Sequence, residues 1–332
     1  MRRVLLLVVI AACGTTDEDA APTYGDGLGT PENPIPQTGV PYAVHTQTSA
    51  PSAATQSDVT RIAGGLRAFA QTPGHSLLTL AKVASPEELA VLDAMSSSLR
   101  SRLEGWIDTE IDKVPVDGMR GRAIAGDMAD FVDASLAHYS IESTLTFSPT
   151  KTTHTVGALS FRLAGLDVVV PVGGLAGDDT QQRVQITVGT GGTVTFGDQE
   201  FGVDFGQHAW HGINLGLTAL TGVGVDKALS NAVNCTALAK AVSLKSYNGV
   251  TVGHQNELTA LCEHSVGALV HQLDLDFAGV DVMSIHLPSG TAHLVDENGD
   301  GLANRTDAGA WTVDPTAAGV SSAMFTALAP GR

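Results

Sequence analysis

An α+β architecture follows from three changes in the periodicity of the apolar residues. Between 57 and 139 they recur at three- and four-residue steps, the spacing of one helix face. From Ile141 they alternate with polar residues, as in a strand with one buried side. Helical spacing returns between about 226 and 272, and alternation then resumes. The predicted fold is an amino-terminal helical layer followed, over 140–330, by an antiparallel β sandwich or barrel with an inserted helical hairpin. At 332 residues, 43% hydrophobic and 16% charged, the chain can build one large domain or two ordinary ones.

The chain begins MRRVLLLVVIAAC. Arg2 and Arg3 precede a short apolar run, Val4 to Ile10, and the small residues Ala11 and Ala12 stand before Cys13. This is the pattern of a secretory signal, too short for a bilayer span of roughly 20 apolar residues. Ile10-Ala11-Ala12-Cys13 resembles the lipobox of bacterial lipoproteins, with isoleucine in place of the usual leucine. The resemblance implies a lipid on Cys13 as the mature amino terminus. Gly14, where an inner-membrane lipoprotein often carries aspartate, implies sorting to the outer membrane, on its periplasmic side or at the cell surface. Residues 14–56 are rich in Pro, Thr, Ser, Ala and Gly, and contain no lysine or arginine. They read as a disordered tether with a reach on the order of 35 to 40 Å.

In the helical region 57–139, Val59, Ile62, Leu66 and Phe69 share one face. Ser85-Pro86-Glu87-Glu88 is a capping box, serine at the cap and glutamate three places on. Leu89, Leu92, Leu99, Leu103, Trp106 and Ile111 follow as a stripe that Pro115 stops. Ile124, Met128, Phe131 and Val132 mark a third helix. Nothing on these faces is suited to catalysis.

The β region opens with Leu145 and Phe147, then Leu159, Phe161 and Leu163, then Val184, Ile186 and Val188. Val194 with Phe196 and Phe201 with Val203 and Phe205 continue the alternation, with Gly191-Gly192 as a hairpin turn. Leu229, Val233, Leu238 and Val242 mark one arm of the helical hairpin, 226–272. Leu258, Leu261, Val266 and Leu269 mark the other. Each arm carries one cysteine. With Cys13 consumed by lipidation, Cys235 and Cys262 are the remaining thiols of an exported chain and are expected to form a disulfide, a catalytic thiol being the alternative. Leu273, Leu275 and Phe277 alternate with Asp274 and Asp276 as a strand. Val280, Val282, Ile285 and Leu287 follow, and Met324, Phe325 and Leu328 end the chain.

The most specific chemistry lies between His293-Leu294-Val295 and Trp311, in DENGDGLANRTD at 296–307. Asp296, Asn298, Asp300, Asn304 and Asp307 place side-chain oxygens at the first, third, fifth, ninth and twelfth positions. Gly301 takes the sixth, where a calcium loop turns, and Leu302 offers its carbonyl at the seventh. The run resembles the EF-hand loop and more closely its dockerin form. It occurs once, and a strand-like segment follows it, so the resemblance implies calcium rather than partner recruitment.

Other chemistries lack support. A net charge of −17, from 18 basic and 35 acidic residues, repels phosphate backbones, and with 5% aromatics there is no stacking platform for nucleic acid. His208 and His211 form an HxxH pair with no third zinc ligand. No GxSxG occurs, and Ser148-Pro149-Thr150-Lys151 lacks the partner motifs of an SxxK enzyme. The whole resembles exported lipoproteins of Gram-negative bacteria. The expected role is noncatalytic, binding or structural, at the cell envelope, with the membrane as partner through Cys13. A lipocalin-like carrier of an apolar ligand and a hydrolase assembled from distant residues are the alternatives.

Overall fold

Ten strands join in one antiparallel sheet, and its two ends are bridged by a single stretch of chain. A computed structural model describes residues 29–47, 53–84, 96–113, 115–116, 119–137, 139–148, 152–163, 165–247, 249–280, 282–312 and 323–329. The expected signal, Cys13 and the capping box at 85–88 lie outside these residues.

In chain order, β1 (Ile35–Pro36) and β2 (Pro41–Gln47) precede helices α1 (Ala53–Gln71), α2 (Pro73–Ala84) and α3 (Ser97–Ile111). A small ladder, β3 (Pro115–Val116) with β4 (Met119–Arg120), leads into α4 (Gly121–Ala137). Then come β5 (Tyr139–Thr146), β6 (Thr152–Leu163), β7 (Leu166–Pro171), β8 (Gln181–Val184), β9 (Ile186–Val188), β10 (Thr193–Phe196) and β11 (Gln199–Val203). The inserted helices are α5 (Phe205–Thr221), α6 (Val225–Val233), α7 (Cys235–Ser243) and α8 (Gln255–Ala278), with the ladder β12 (Ser246–Tyr247) and β13 (Val250–Thr251) between the last two. The chain closes with β14 (Met283–Leu287), β15 (Ser289–Val295), β16 (Leu302–Ala303), β17 (Arg305–Thr312) and β18 (Ala323–Leu328).

The sheet runs β7-β6-β5-β2-β18-β17-β15-β10-β9, and β8 also pairs with β6. Only Gln185 separates β8 from β9, and its carbonyl accepts from the Gly197 N–H at 2.7 Å, beyond the end of β10. One continuous segment therefore pairs with β6 at one edge and β10 at the other, and the sheet closes into a barrel. Of the ten strands, β7 stands outside the ring and β8 with β9 acts as one, leaving eight around the axis. Closure pairs the edges of the ring strands, which an open sheet would leave exposed, and β7 alone ends the strand order.

Alternation fills the barrel. On β2, Tyr42, Val44 and Thr46 point inward; on β5, Ile141, Ser143 and Leu145 do, and Phe147 just beyond its end is buried with them. Trp311 is sandwiched with Phe325 at a ring-centroid separation of 4.4 Å and with His154 at 5.6 Å, and Phe196 tilts against it at 5.0 Å. His154 lies on β6 and Trp311 on β17, opposite sides of the ring, so these rings span the axis. Gly290 is required beside them: a Cβ there would stand 2.2 Å from the Trp311 ring.

The inward face of β5 and β6 continues past the barrel core into the helices. Tyr139 and Phe161 meet Phe205 at 5.5 and 5.9 Å, and Phe131 of α4 meets Phe161 at 6.5 Å. Close approach here depends on small residues: Gly212 lies against Phe161 and Val170, and Gly206 against the Phe277 carbonyl. Helices thus cover the end opposite the loop at 296–304. The Cys235–Cys262 disulfide joins α7 to α8, as expected. Among the described residues no helix is long and apolar enough to cross a membrane.

Three expectations are corrected. Residues 29–47 fall inside the expected tether 14–56, yet β2 is a full member of the ring, with Tyr42 wholly buried between β5 and β18. Its alternation is concealed by proline and threonine. Phe205 does not end a strand; Asp204 accepts from the Gln207 N–H at 3.2 Å and caps α5, whose Phe205, Ala209, Ile213 and Leu217 are buried four residues apart. Leu273, Leu275 and Phe277 belong to the last turns of α8. Leu273 and Phe277, one helical turn apart, are buried, while Leu275 is half exposed. The helical insertion accordingly runs from 205 to 278 rather than 226 to 272. Helix α3 begins at Ser97, capped by Ser96, whose hydroxyl accepts from the Leu99 N–H at 3.4 Å.

Candidate functional site

The loop 296–304 connects β15 to β17 at the barrel end away from the helices, and its acidic residues are arranged as a stair of side-chain-to-backbone bonds. Asp296 Oδ1 accepts from the Gly299 N–H at 2.7 Å and the Asn298 N–H at 3.2 Å, and its Oδ2 accepts from the Gly301 N–H at 2.6 Å. Asn298 Oδ1 takes the Asp300 N–H at 3.3 Å, and Asp300 Oδ1 takes the Leu302 N–H at 2.9 Å. Asn298 Nδ2 donates to Asp300 Oδ2 at 3.0 Å. Asn304 Oδ1 accepts from the Glu297 N–H at 3.2 Å and closes the base. These turns are what Asp and Asn do locally when their side chains compete for backbone donors.

Burial opposes ionisation of Asp296, but the N–H groups of Gly301, Gly299, Asp300 and Asn298 outweigh it and hold its carboxyl below the usual carboxylate range. The charged form is the one a cation needs. Gly301 has φ of 83°, a left-handed conformation, and a Cβ on it would stand 2.1 Å from the Gly29 carbonyl oxygen. Both facts demand glycine.

Five of the six expected ligands share this region: Asp296, Asn298, Asp300 and Asn304 by side chain, and Leu302 by its place on β16. Asp307 does not join them. It is two residues into β17, opposite His293, and its carboxylate accepts from Arg305, whose Nε donates to Glu297 at 2.6 Å. Strand alternation sets that direction: Thr306 turns inward, so Arg305 and Asp307 share the outer face. In an EF-hand the residue at the twelfth position lies on a following helix, which this loop lacks. Two carboxylates, two amide oxygens and one carbonyl still form a hard-oxygen set that fits calcium, with water completing its shell. Among the described residues no group of three His, Cys, Asp or Glu is gathered to hold a metal ion, and the loop's donors include asparagines and a carbonyl that such a group omits.

Two further polar clusters were not legible beforehand. His154, at the barrel centre, has Nε2 2.8 Å from Ser143 Oγ and Nδ1 2.5 Å from Gln199 Oε1. An amide oxygen only accepts, so Nδ1 carries the proton and Nε2 accepts the serine hydroxyl. The order Ser–His–amide resembles a nucleophile with its base, but Ser143, His154 and Gln199 are all buried among packed rings. It works as a satisfied core network. Burial pushes the His154 imidazole down to about 4, against the opposing pull of the Gln199 bond.

His208 of the HxxH pair is buried and lies 3.1 Å from Asp178 Oδ2, while His211 is exposed. Asp178 also accepts from Gly173 N at 2.9 Å and Asp204 N at 3.0 Å. Despite its burial, the Asp204 and Gly173 N–H bonds and then His208 hold its carboxyl low. It fastens the 172–180 loop to the start of α5.

No family model, curated protein or solved structure matches this chain.

Proposed function

We propose that the chain is an exported lipoprotein of the outer membrane, anchored through Cys13, whose barrel is stabilised by calcium at 296–304 and serves a noncatalytic binding or structural role. The observation that carries this reading is the stair of Asp296, Asn298 and Asp300 at the open end of a barrel whose axis is occupied by side chains. Asp296, Asn298, Asp300, Asn304 and the Leu302 carbonyl would hold the ion. Calcium would supply a fixed positive centre that offsets the repulsion between two carboxylates and fastens β15 to β17. A carrier would need an apolar cavity along the axis, and Trp311, Phe325, Phe196 and His154 fill that space. A hydrolase would need a reachable nucleophile, and Ser143 is enclosed. Both points support the noncatalytic role.

Thermal unfolding in calcium and in chelator tests the reading. A higher melting temperature in calcium is expected for the native chain. The difference should vanish in the double variant Asp296→Ala, Asp300→Ala; if it persists, the ion sits elsewhere.

A further inference from the structure

Residues 29–36 cross the back of the loop as a strap. Gly29 and Gly301 meet backbone to backbone: a Cβ on Gly29 would stand 2.0 Å from the Gly301 carbonyl oxygen. Ile35 N–H donates to that same oxygen at 3.2 Å, and β1 runs parallel to β16 with Ile35 beside Leu302 and Pro36 beside Ala303. Asn33 Oδ1 accepts from the Gly191 N–H at 2.6 Å, and Pro34 packs on Gly192. On its other side the run 301–302 donates its N–H groups to Asp296 at 2.6 Å and Asp300 at 2.9 Å. Two consecutive residues therefore hold the strap with one side and two loop carboxylates with the other.

The geometry points to a calcium-governed strap: filling the loop locks residues 29–36 onto it, and emptying the loop releases them. This rests on the calcium reading above. An empty loop leaves Asp296 and Asp300 repelling one another with Glu297 beside them, and the peptides they organise lose their fixed positions. The strap's bonds are few: Asn33 and Pro34 meet the 191–192 turn, and the Ile35 bond and the β1–β16 pairing centre on those peptides, so its docking follows the order of the loop. Coupling is reciprocal, and a docked strap must raise calcium affinity by the same factor by which calcium favours docking. Release ends near Gln37, whose N–H donates to Tyr42 Oη at 2.9 Å while Tyr42 Oη donates to the Ala303 carbonyl at 2.5 Å. Those bonds belong to the ring. The chain upstream of Gly29 leads back to Cys13, so freeing eight residues would lengthen the link between barrel and anchor by up to about 27 Å. Calcium would then set how far the barrel stands from the membrane.

The test follows cleavage by a glutamate-specific protease at Glu32, which is exposed on the strap, in the full chain, by mass spectrometry of the released peptide. Calcium binding is measured on the same sample by calorimetry. Cleavage at Glu32 should slow on the order of tenfold in calcium, a usual size for coupling between sites. Gly29→Val, which drives a side chain into the Gly301 carbonyl, should make cleavage fast in both conditions and weaken calcium binding by a similar factor. Asn33→Ala, a milder change that leaves the loop untouched, should speed cleavage in calcium. Calcium binding with unchanged cleavage at Glu32 overturns the strap and leaves the calcium reading standing. Absence of any calcium heat overturns both.

Discussion

Acid should unfold this protein through His154. Its imidazole has a folded-state pKa of about 4, from burial at the barrel axis, against about 6.5 in an unfolded chain. A depressed pKa means the fold favours the neutral ring. The stability it contributes is complete above pH 6.5 and is lost as pH falls through the interval down to 4. The whole difference is worth about 3 kcal/mol, and about 2 kcal/mol of it is gone by pH 5. Against a typical domain stability of about 5 to 15 kcal/mol, the whole difference is roughly a fifth to three fifths of the total. The perturbation is His154→Leu, which removes the titration along with the bonds to Ser143 and Gln199. Urea unfolding of both proteins is measured at pH 7.5, 6, 5 and 4. The native chain should lose its lead over the variant as pH falls, by about 3 kcal/mol across the series. The carboxylates titrate in both and cancel in the difference. A lead that stays constant across the series would refute the argument.

Other consequences follow from the same contacts. Trp311→Ala should cost roughly 3 to 5 kcal/mol in urea unfolding, because its ring is wedged among Phe196, Phe325 and His154 and the ring cannot collapse around the void. Gly301→Ala should destabilise by about 1 to 3 kcal/mol from its left-handed backbone alone, more through the collision with Gly29, and should speed amide exchange at Ile35. Reducing Cys235–Cys262, separated by 27 residues, should lower stability by about 3 to 4 kcal/mol in the chain-entropy model, read as a shift in the urea midpoint. Tyr42→Phe strands the Gln37 N–H and leaves the Ala303 carbonyl with the Gln37 side-chain amide as its donor, and should cost about 1 to 3 kcal/mol.

What could be read beforehand depended on whether the signal was local. Strands with one buried side, such as β5 and β10, announce themselves by alternation. The loop at 296–304 is visible because its oxygen-bearing residues fall at alternate positions of one short run. Strand β2 is harder: its inward Thr46 breaks the apolar count, yet belongs inside because the Trp311 indole N–H needs an acceptor, 3.3 Å away. The end of α8 misleads in the opposite way. Three apolar residues separated by Asp274 and Asp276 fit a strand as well as a helix, and only the burial of Leu273 with Phe277 decides. Closure through β8 and β9, the seat of Gly29 on Gly301, and the His154 network join residues far apart in the chain. Asp307 has the spacing of a loop residue but stands on β17 beside Arg305, because a strand, not a helix, follows the loop.

The most direct measurement is calorimetric titration of calcium into the full chain and into the Asp296→Ala, Asp300→Ala variant. One ion per chain is predicted for the native protein, with the affinity of an extracellular calcium module, about 10⁻⁴ to 10⁻³ M, and none at this site in the variant. No binding by the native chain, or binding that the variant retains, would contradict the account.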